Sequence, residues 1–269
     1  MTATISPSPL RAEYLSTRPR HSFNDVADRY ERLAAMTALV ASETARLAEP
    51  AAWAAFAAGL AKFPTLSPAN VLLVLDQHPL ARRIDSHFGW GCLQRTPVER
   101  GIAILRPSVL YKRVNGLTVW DGGRPVVEEV RHRPATVFDY SQTAGAVMET
   151  PWTIAQIEPR DGFIDDMRAA AAAIGYAVES RRDEAPAQRR VFALIHGQDD
   201  RTKAMRLARD LGRAAGGEAG ADLFAYALCT ANGMDVPVPP LPVDPEVAAA
   251  AASSGLRRVL RRVEFRNLV

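Results

Sequence analysis

The sequence predicts an α+β protein: N-terminal helices packed on an antiparallel sheet, then a mostly helical part with a short sheet of its own. Three observations predict it. From Val26 to Val40, through Tyr30, Leu33, Met36 and Leu39, apolar residues recur at spacings of three and four, the period of an amphipathic helix. Beyond "FGWGCLQRTPVERG" the pattern turns into short β-rich runs divided by Gly, Pro and Asn. Helical patterning returns at "DGFIDDMRAAAAAIG" and governs most of the remaining chain.

Residues 1–22 hold three prolines with Ser, Thr and Arg and no apolar period, which reads as a flexible basic arm. The first helix is expected to open at Asn24 as N-cap, with Asp25 and Asp28 near the positive end of its dipole. Pro50 fits the first turn of a second helix, "PAAWAAFAAGLAKF". A third opens at Ser67 with Pro68 in its first position and runs "SPANVLLVLDQH" to Pro79. "GIAIL", "SVLYKRV", "LTVWD", "RPVVEEV" and "ATVFDYS" then read as five short strands, with hairpin turns at Asn115–Gly116 and Asp121–Gly123. In the second half two strands, "YAVES" and "RVFALIHG", flank the charged loop "RRDEAPAQRR". Helices are expected over about Asp200–Ala215 and Glu218–Asn232, then a stiff linker "VPVPPLPVDP" and a basic amphipathic tail "LRRVLRRVEF". The expected divisions are 1–22, 23–147, 148–235 and 236–269.

Composition narrows the classes of function. A chain of 269 residues with 48% hydrophobic side chains is long enough to bury a large core. No apolar run approaches the roughly 18 residues that span a bilayer, and the N-terminal stretch has no secretory pattern. Cys92 and Cys229 cannot build a disulfide framework or a four-ligand metal site. The cytoplasm is the expected compartment. The net charge is +3, and all basic residues except Lys62, Lys112 and Lys203 are arginines. Arginine suits bidentate phosphate binding and stacking on bases, although a GC-rich genome raises Arg and Ala together without any such role.

None of the histidines His21, His78, His87, His132 and His196 stands at the i, i+4 spacing that grips a metal from one helix face. There is no G-x-S-x-G, P-loop or dinucleotide glycine pattern. Between Ala81 and Lys112, by contrast, Arg82, Arg83, Arg95, Arg100, Arg106 and Lys112 interleave with Phe88 and Trp90. Cations that track phosphates, alternating with aromatics on which bases stack, make a single-strand-binding surface. The plainer alternative is that Phe88 and Trp90 are core residues among solvated arginines.

Two separated blocks carry a family resemblance. The first holds Ser67, Asn70, Leu72, Leu73, Gln77, Pro79, Phe88, Trp90, Glu99, Gly101, Ile102, Ile104 and Pro107; the second holds Val137, Phe138, Asp139, Ser141, Gln142, Thr143 and Gly145. Together they resemble the N-terminal domain of ArdC-type antirestriction proteins, with its S-x-x-N-x-L-L-I-x-x-Q-x-P, F-x-x-W, G-E-K-G-I-A-I-x-x-P and V-F-D-x-S-Q-T-x-G. The likeness covers residues 24–146. The family's Lys-Gly before the Glu is replaced by Pro97–Val98. The resemblance implies a single-stranded-DNA-binding domain carried by plasmids, phages and other mobile elements. Its contacts are then expected at Arg82, Arg83, Phe88, Trp90, Arg95, Arg100, Lys112 and Arg113, with Asn70 and Gln77 as polar contacts or as caps on backbone groups.

In that family a zinc metallopeptidase-like domain often comes next, ordered as two strands, a helix bearing H-E-x-x-H, and a helix with an acidic ligand. Here "RVFALIHG", "DRTKAMRLARDLGRAAGG" and "GEAGADLFAYALCTANGMD" keep that order. The resemblance then implies a zincin-like fold with Arg209 and Arg213 at the two metal histidines, Asp210 at the catalytic Glu, and Glu218 or Asp222 nearest the third ligand. Guanidinium groups offer donors only and cannot give zinc a lone pair. The expectation is therefore no metal, no cofactor and no catalysis, with Glu218 or Asp222 either pairing with Arg209 or Arg213 or facing solvent. The expected partner is single-stranded DNA inside a bacterial host cell. A protein-interaction module that blocks a host defence protein is the alternative.

Overall fold

The computed structural model describes residues 20–147, 159–182, 190–263 and 265. Most of the expected basic arm, the segment around the expected division at 147, and the middle of the charged loop lie outside the described residues.

Three helices open the fold: α1 (Arg29–Arg46), α2 (Pro50–Lys62) and α3 (Pro68–Gln77). The start of α1 differs from expectation. Asp28, not Asn24, is its N-cap, accepting from the N–H groups of Tyr30 and Glu31. Asn24 sits instead in a 3₁₀ turn (Phe23–Asp25), because Phe23 turns inward and is buried. The Asn24 amide donates to Gly101 O at 2.5 Å. The proline positions of α2 and α3 and the Ser67 cap agree with the sequence, with Ser67 Oγ accepting from Asn70 N.

A short strand β1 (Ile84–Asp85) and a one-turn helix α4 (His87–Cys92) lead into β2 (Arg95–Pro97). The next strands are not five short ones. "GIAIL" and "SVLYKRV" fuse into β3 (Ile102–Tyr111), and "RPVVEEV" and "ATVFDYS" fuse into β8 (Val127–Asp139). They pair antiparallel over the whole of β3, from Ile102↔Val137 to Tyr111↔Val127 with a bulge beside Leu110, and the last two residues of β8 pair with β1. The prolines that seemed to break them are tolerated because Pro107 pairs with His132 and Pro134 with Leu105. The backbone of Leu105 points away from β8, toward Asn70, so at these alternate positions a missing N–H costs the ladder nothing.

The outer end of this ribbon carries two small hairpins, β4 (Arg113–Val114) with β5 (Leu117–Thr118), and β6 (Trp120–Asp121) with β7 (Arg124–Pro125). Their turns are the expected ones: Asn115 and Gly116 have φ of 51° and 81°, and Gly122 and Gly123 have 53° and 77°, the left-handed pair a two-residue hairpin requires. A ring of three backbone bonds ties hairpins and ribbon together. Lys112 N–H donates to Val126 O, Val126 N–H to Val119 O, and Val119 N–H to Lys112 O, each at 2.9 Å.

After β9 (Thr143–Gly145), which pairs with β2, the second half comprises α5 (Phe163–Ala173), β10 (Ala177–Arg181), β11 (Val191–Ile195), α6 (Asp200–Gly216), α7 (Ala221–Ala231) and α8 (Pro245–Leu260). β10 and β11 pair in parallel. Between the expected stiff linker and basic amphipathic tail, and into the start of that tail, the described residues form a helix that sequence reading did not expect. Their Ala-rich stretch folds as α8, and Ala248, Ala249, Ala252, Leu256 and Val259 are buried. Gly216 and Gly220, at the turn between α6 and α7, let the backbone of Ala251 and Ala252 approach so closely that neither has room for a Cβ. The Trp53 indole N–H donates to Pro239 O at 3.0 Å, so the proline-rich segment is held as well.

The largest apolar cluster draws on both halves of the chain. It joins Trp53, Phe56 and Leu60 of α2 and Leu72 of α3 to Leu211, Phe224, Leu228 and Leu256. Two smaller clusters fix the root of the ribbon, one through Met36, Leu73 and Ala103, the other through Phe63, Val74 and Ile102. The ribbon beyond Leu105 projects past this core.

Candidate nucleic-acid interface

Alternation along β3 and β8 gives the projecting ribbon two unlike faces. On one face Pro107 lies opposite His132, Val109 opposite Val130, and Tyr111 opposite Val127. Val109, Tyr111, Val127 and Val130 are all exposed, Tyr111 at 44%. On the other face Arg106 lies opposite Arg133, and Ser108 opposite Arg131. Arg131 pairs with Glu129 at 2.7 Å, whereas Arg106 and Arg133 make no ion pair among the described residues. The hairpins add Trp120, 64% exposed, beside exposed Lys112, Arg113 and Arg124. Like charges directly opposite in a sheet destabilise it, and contiguous exposed apolar side chains mark contact surfaces. Both departures fall on one element that contributes little to the core. Such local conflicts concentrate where a surface has a task other than folding.

The residues expected to contact DNA divide sharply. Trp90 is corrected: its ring is 0% exposed, its indole N–H donates to Phe138 O at 2.8 Å, and no base can stack on it. Arg95 is likewise structural. Its guanidinium donates to Thr143 Oγ1 at 2.8 Å and Thr143 O at 2.6 Å, bonds Ala146 O, and lies over the Tyr140 ring. Asn70 and Gln77 stand two turns apart on α3 and act as surrogate strand residues. Asn70 exchanges a pair of bonds with Leu105, 2.9 and 2.8 Å, and Gln77 a pair with Ala103, both 2.8 Å. They cap the edge of β3 that β8 leaves open.

Arg83 is half-buried with its guanidinium over Trp90, and Arg100 is held by Asp25. Arg82 stays exposed, Phe88 is 80% exposed, and Lys112 and Arg113 lie at the tip of the ribbon. Tyr111, Trp120, Arg131 and Arg133 were missed by sequence reasoning. Their signal is that the aromatic-and-cation interleave takes in Tyr111 and continues past Lys112 to Trp120, Arg131 and Arg133, which reading β3 and β8 as fragments hides.

The block "VFDYSQT" forms a knot that holds the root of the ribbon. Asp139, buried, accepts from the N–H groups of Arg82 and Arg83 and from Ser141 N and Oγ. Gln142 accepts from Asp139 N and donates to Arg100 O. Burial opposes ionisation of Asp139, but the hydrogen bonds from Ser141, Arg82 and Arg83 outweigh it and hold the carboxyl below its ordinary value.

At the positions where the resemblance would set a metal site, the charges pair with one another. Arg209 on α6 binds Asp222 on α7 at 2.8 Å. Arg213 binds Asp210 at 2.6 Å and Glu218 in a two-pronged contact. Burial pushes the Asp210 carboxyl up, more than Arg213 and Arg206 pull it down. The hydrogen bond from Arg213 holds Glu218 below its ordinary value. These groups do not fit zinc: the two guanidinium groups have no lone pair to give, and each carboxylate is already engaged by an arginine.

No protein-family model matches the sequence, and no curated protein matches it. Among solved structures the chain is similar to the antirestriction ArdC protein from R388 plasmid. The metal-free crystal structure shares 13% identity over 72% of this chain and 83% of that one, with a TM-score of 0.43. The Mn(II)-bound crystal structure shares 13% identity over 72% and 86%, with a TM-score of 0.38.

Proposed function

We propose that this chain is a single-stranded-DNA-binding protein of the antirestriction type, acting in the cytoplasm of a bacterial host for a plasmid or phage. Its second half is read as a metallopeptidase-like scaffold without catalysis. The observation that carries the reading is the ribbon of β3 and β8, whose exposed Tyr111 and Trp120 lie toward the tip that also carries exposed Lys112, Arg113 and Arg124, with the opposed Arg106 and Arg133 on the ribbon's other face. Aromatic platforms for unstacked bases, set among cations, match what a single strand offers. The sequence blocks shared with ArdC-type proteins support the antirestriction part. They support it through the frame that raises the ribbon, since Asn70, Gln77, Trp90, Asp139 and Gln142 all brace its root. The Arg209–Asp222 and Arg213–Glu218 pairs support the loss of catalysis.

A second reading, capture of a host defence protein, is favoured by the aliphatic part of the same face: Val109, Val127, Val130 and, at the tip, Leu117. Titration of fluorescent single- and double-stranded oligonucleotides at two salt concentrations separates the two. The wild type is expected to prefer the single strand, and Trp120→Ala to weaken binding about 5- to 150-fold, since a stacked base contributes roughly 1–3 kcal/mol. Absence of single-strand binding at low salt overturns the first reading in favour of the second.

A further inference from the structure

A cleft of about 760 Å³ lies between the root of the ribbon and the last turns of α8. One wall is Arg257, Arg258, Arg261 and Arg262; the other includes Pro107 and His132. Its floor includes Ser67, at the N-terminal and therefore positive end of α3. The two walls are joined through α3: Ser253, fully buried on α8, donates to Leu66 O at 2.9 Å just before α3, and Asn70 on α3 exchanges a pair of bonds with Leu105 of the ribbon.

The four arginines have no carboxylate partner among the described residues. Basic residues commonly close a helix, but the negative end of a helix carries only about half a charge, and four guanidinium groups far exceed it. Arg257 is half-buried, and its pKa is lowered by that burial and by the charge of Arg261. A positive cluster that is costly to assemble and unanswered among the described residues suits an anion from outside. The planar forks of arginine suit phosphate oxygens.

The course of the ribbon says what kind of anion. Pro107 and His132 belong to the same face as Val109, Val130 and Tyr111. Tyr111 lies four residues beyond Pro107, roughly 13 Å along the strand. A cationic cleft that opens onto an apolar and aromatic face suits a polymer with phosphates on one side and unstacked bases on the other. We propose that this cleft binds the sugar–phosphate backbone of a single-stranded nucleic acid whose neighbouring bases lie along the Val109–Tyr111 face, an inference that rests on the nucleic-acid reading above.

The test uses the full chain with two probes, an oligothymidylate and an abasic deoxyribose-phosphate oligomer of equal length. Binding is measured as a function of salt for wild type, Arg258→Gln/Arg261→Gln, Arg258→Lys/Arg261→Lys and Trp120→Ala, with circular dichroism confirming that each is folded. The Gln variant is expected to bind both probes more weakly and to lose about 1.4 from its logarithmic salt slope, roughly 0.7 per phosphate contact. The Lys variant should keep the slope, and Trp120→Ala should affect the oligothymidylate alone. A Gln variant with wild-type slope on both probes overturns the cleft and leaves the ribbon reading standing. Binding of the abasic probe through these arginines, with no effect of Trp120→Ala on oligothymidylate, keeps the cleft and overturns stacking on Trp120. Failure of the wild type to bind either probe overturns both.

Discussion

Asp139 shows how one side chain sets the geometry of a whole surface. Its two oxygens collect donors from three residues at two places in the chain, Arg82 with Arg83 and Ser141, and so fasten the end of β8 to the segment before β1. Asp139→Asn keeps the volume but turns an NH₂ toward those N–H groups, setting donor against donor. The expected loss is about 1–3 kcal/mol of unfolding free energy, the cost of leaving buried polar groups unsatisfied, measured by urea unfolding at neutral pH. The dependence on pH has a definite sign. The carboxyl is held below its ordinary value, so its ionised form stabilises the fold at neutral pH, and that contribution disappears as the pH falls through the depressed value. The Asn variant should therefore lose less stability than wild type between neutral pH and pH about 3. An equal acid loss in both proteins contradicts this account of Asp139. At this scale the sequence was legible only in part. The "VFDYSQT" block stood out as part of a family resemblance, but nothing local distinguishes Trp90, buried on Phe138 O, from Trp120, open to solvent. Burial is decided by partners dozens of residues away.

Elements whose signals are local matched the sequence: the Ser67 cap, Pro50 and Pro68 in first turns, and the Asn115–Gly116 turn. Elements that depend on tertiary partners did not. Pro107 and Pro134 read as breaks, because a chain alone does not reveal that both face away from the ribbon's hydrogen bonds. The stretch before "LRRVLRR" read as part of a tail because its alanines carry little hydrophobic contrast, yet α8 packs on the glycines at the α6–α7 turn. That packing makes an element-scale prediction. Gly216→Ala places a methyl against the Ala251 carbonyl and forces α8 outward, at an expected cost of about 1–3 kcal/mol, read as a lowered thermal midpoint. Because the arginine cleft includes the end of α8, the same variant should also weaken oligonucleotide binding beyond what its stability loss accounts for. An unchanged midpoint contradicts the close approach of the two backbones.

At the scale of the molecule, the shared core makes the ribbon dependent on the second half. Trp53, Phe56 and Leu60 pack with Leu211, Phe224, Leu228 and Leu256 in one cluster, and each such side chain contributes about 1.5–3 kcal/mol when buried. A fragment of residues 20–147 uncovers that face of α2 and α3. It is expected to lack the near-ultraviolet dichroism of packed aromatics and to self-associate, whereas the full chain unfolds with tryptophan fluorescence and helical dichroism falling together. A fragment that is monomeric and natively packed contradicts this dependence. The second half thus completes the core on which the ribbon stands. The arginines of α8 and the side chains of β3 come together only through this core, from positions more than a hundred residues apart in the sequence, so no reading of adjacent residues finds their cleft.

The ring of backbone bonds through Lys112, Val119 and Val126 has a consequence for how the ribbon can vary. Each hairpin leaves and re-enters the chain at points already fastened to one another, so its closure is settled at the ring and not at its turn. The ribbon is in effect a stem with two detachable leaves. Residues inserted at Asn115–Gly116 or Gly122–Gly123 lengthen a leaf while the stem, and every contact beneath it, keeps its place.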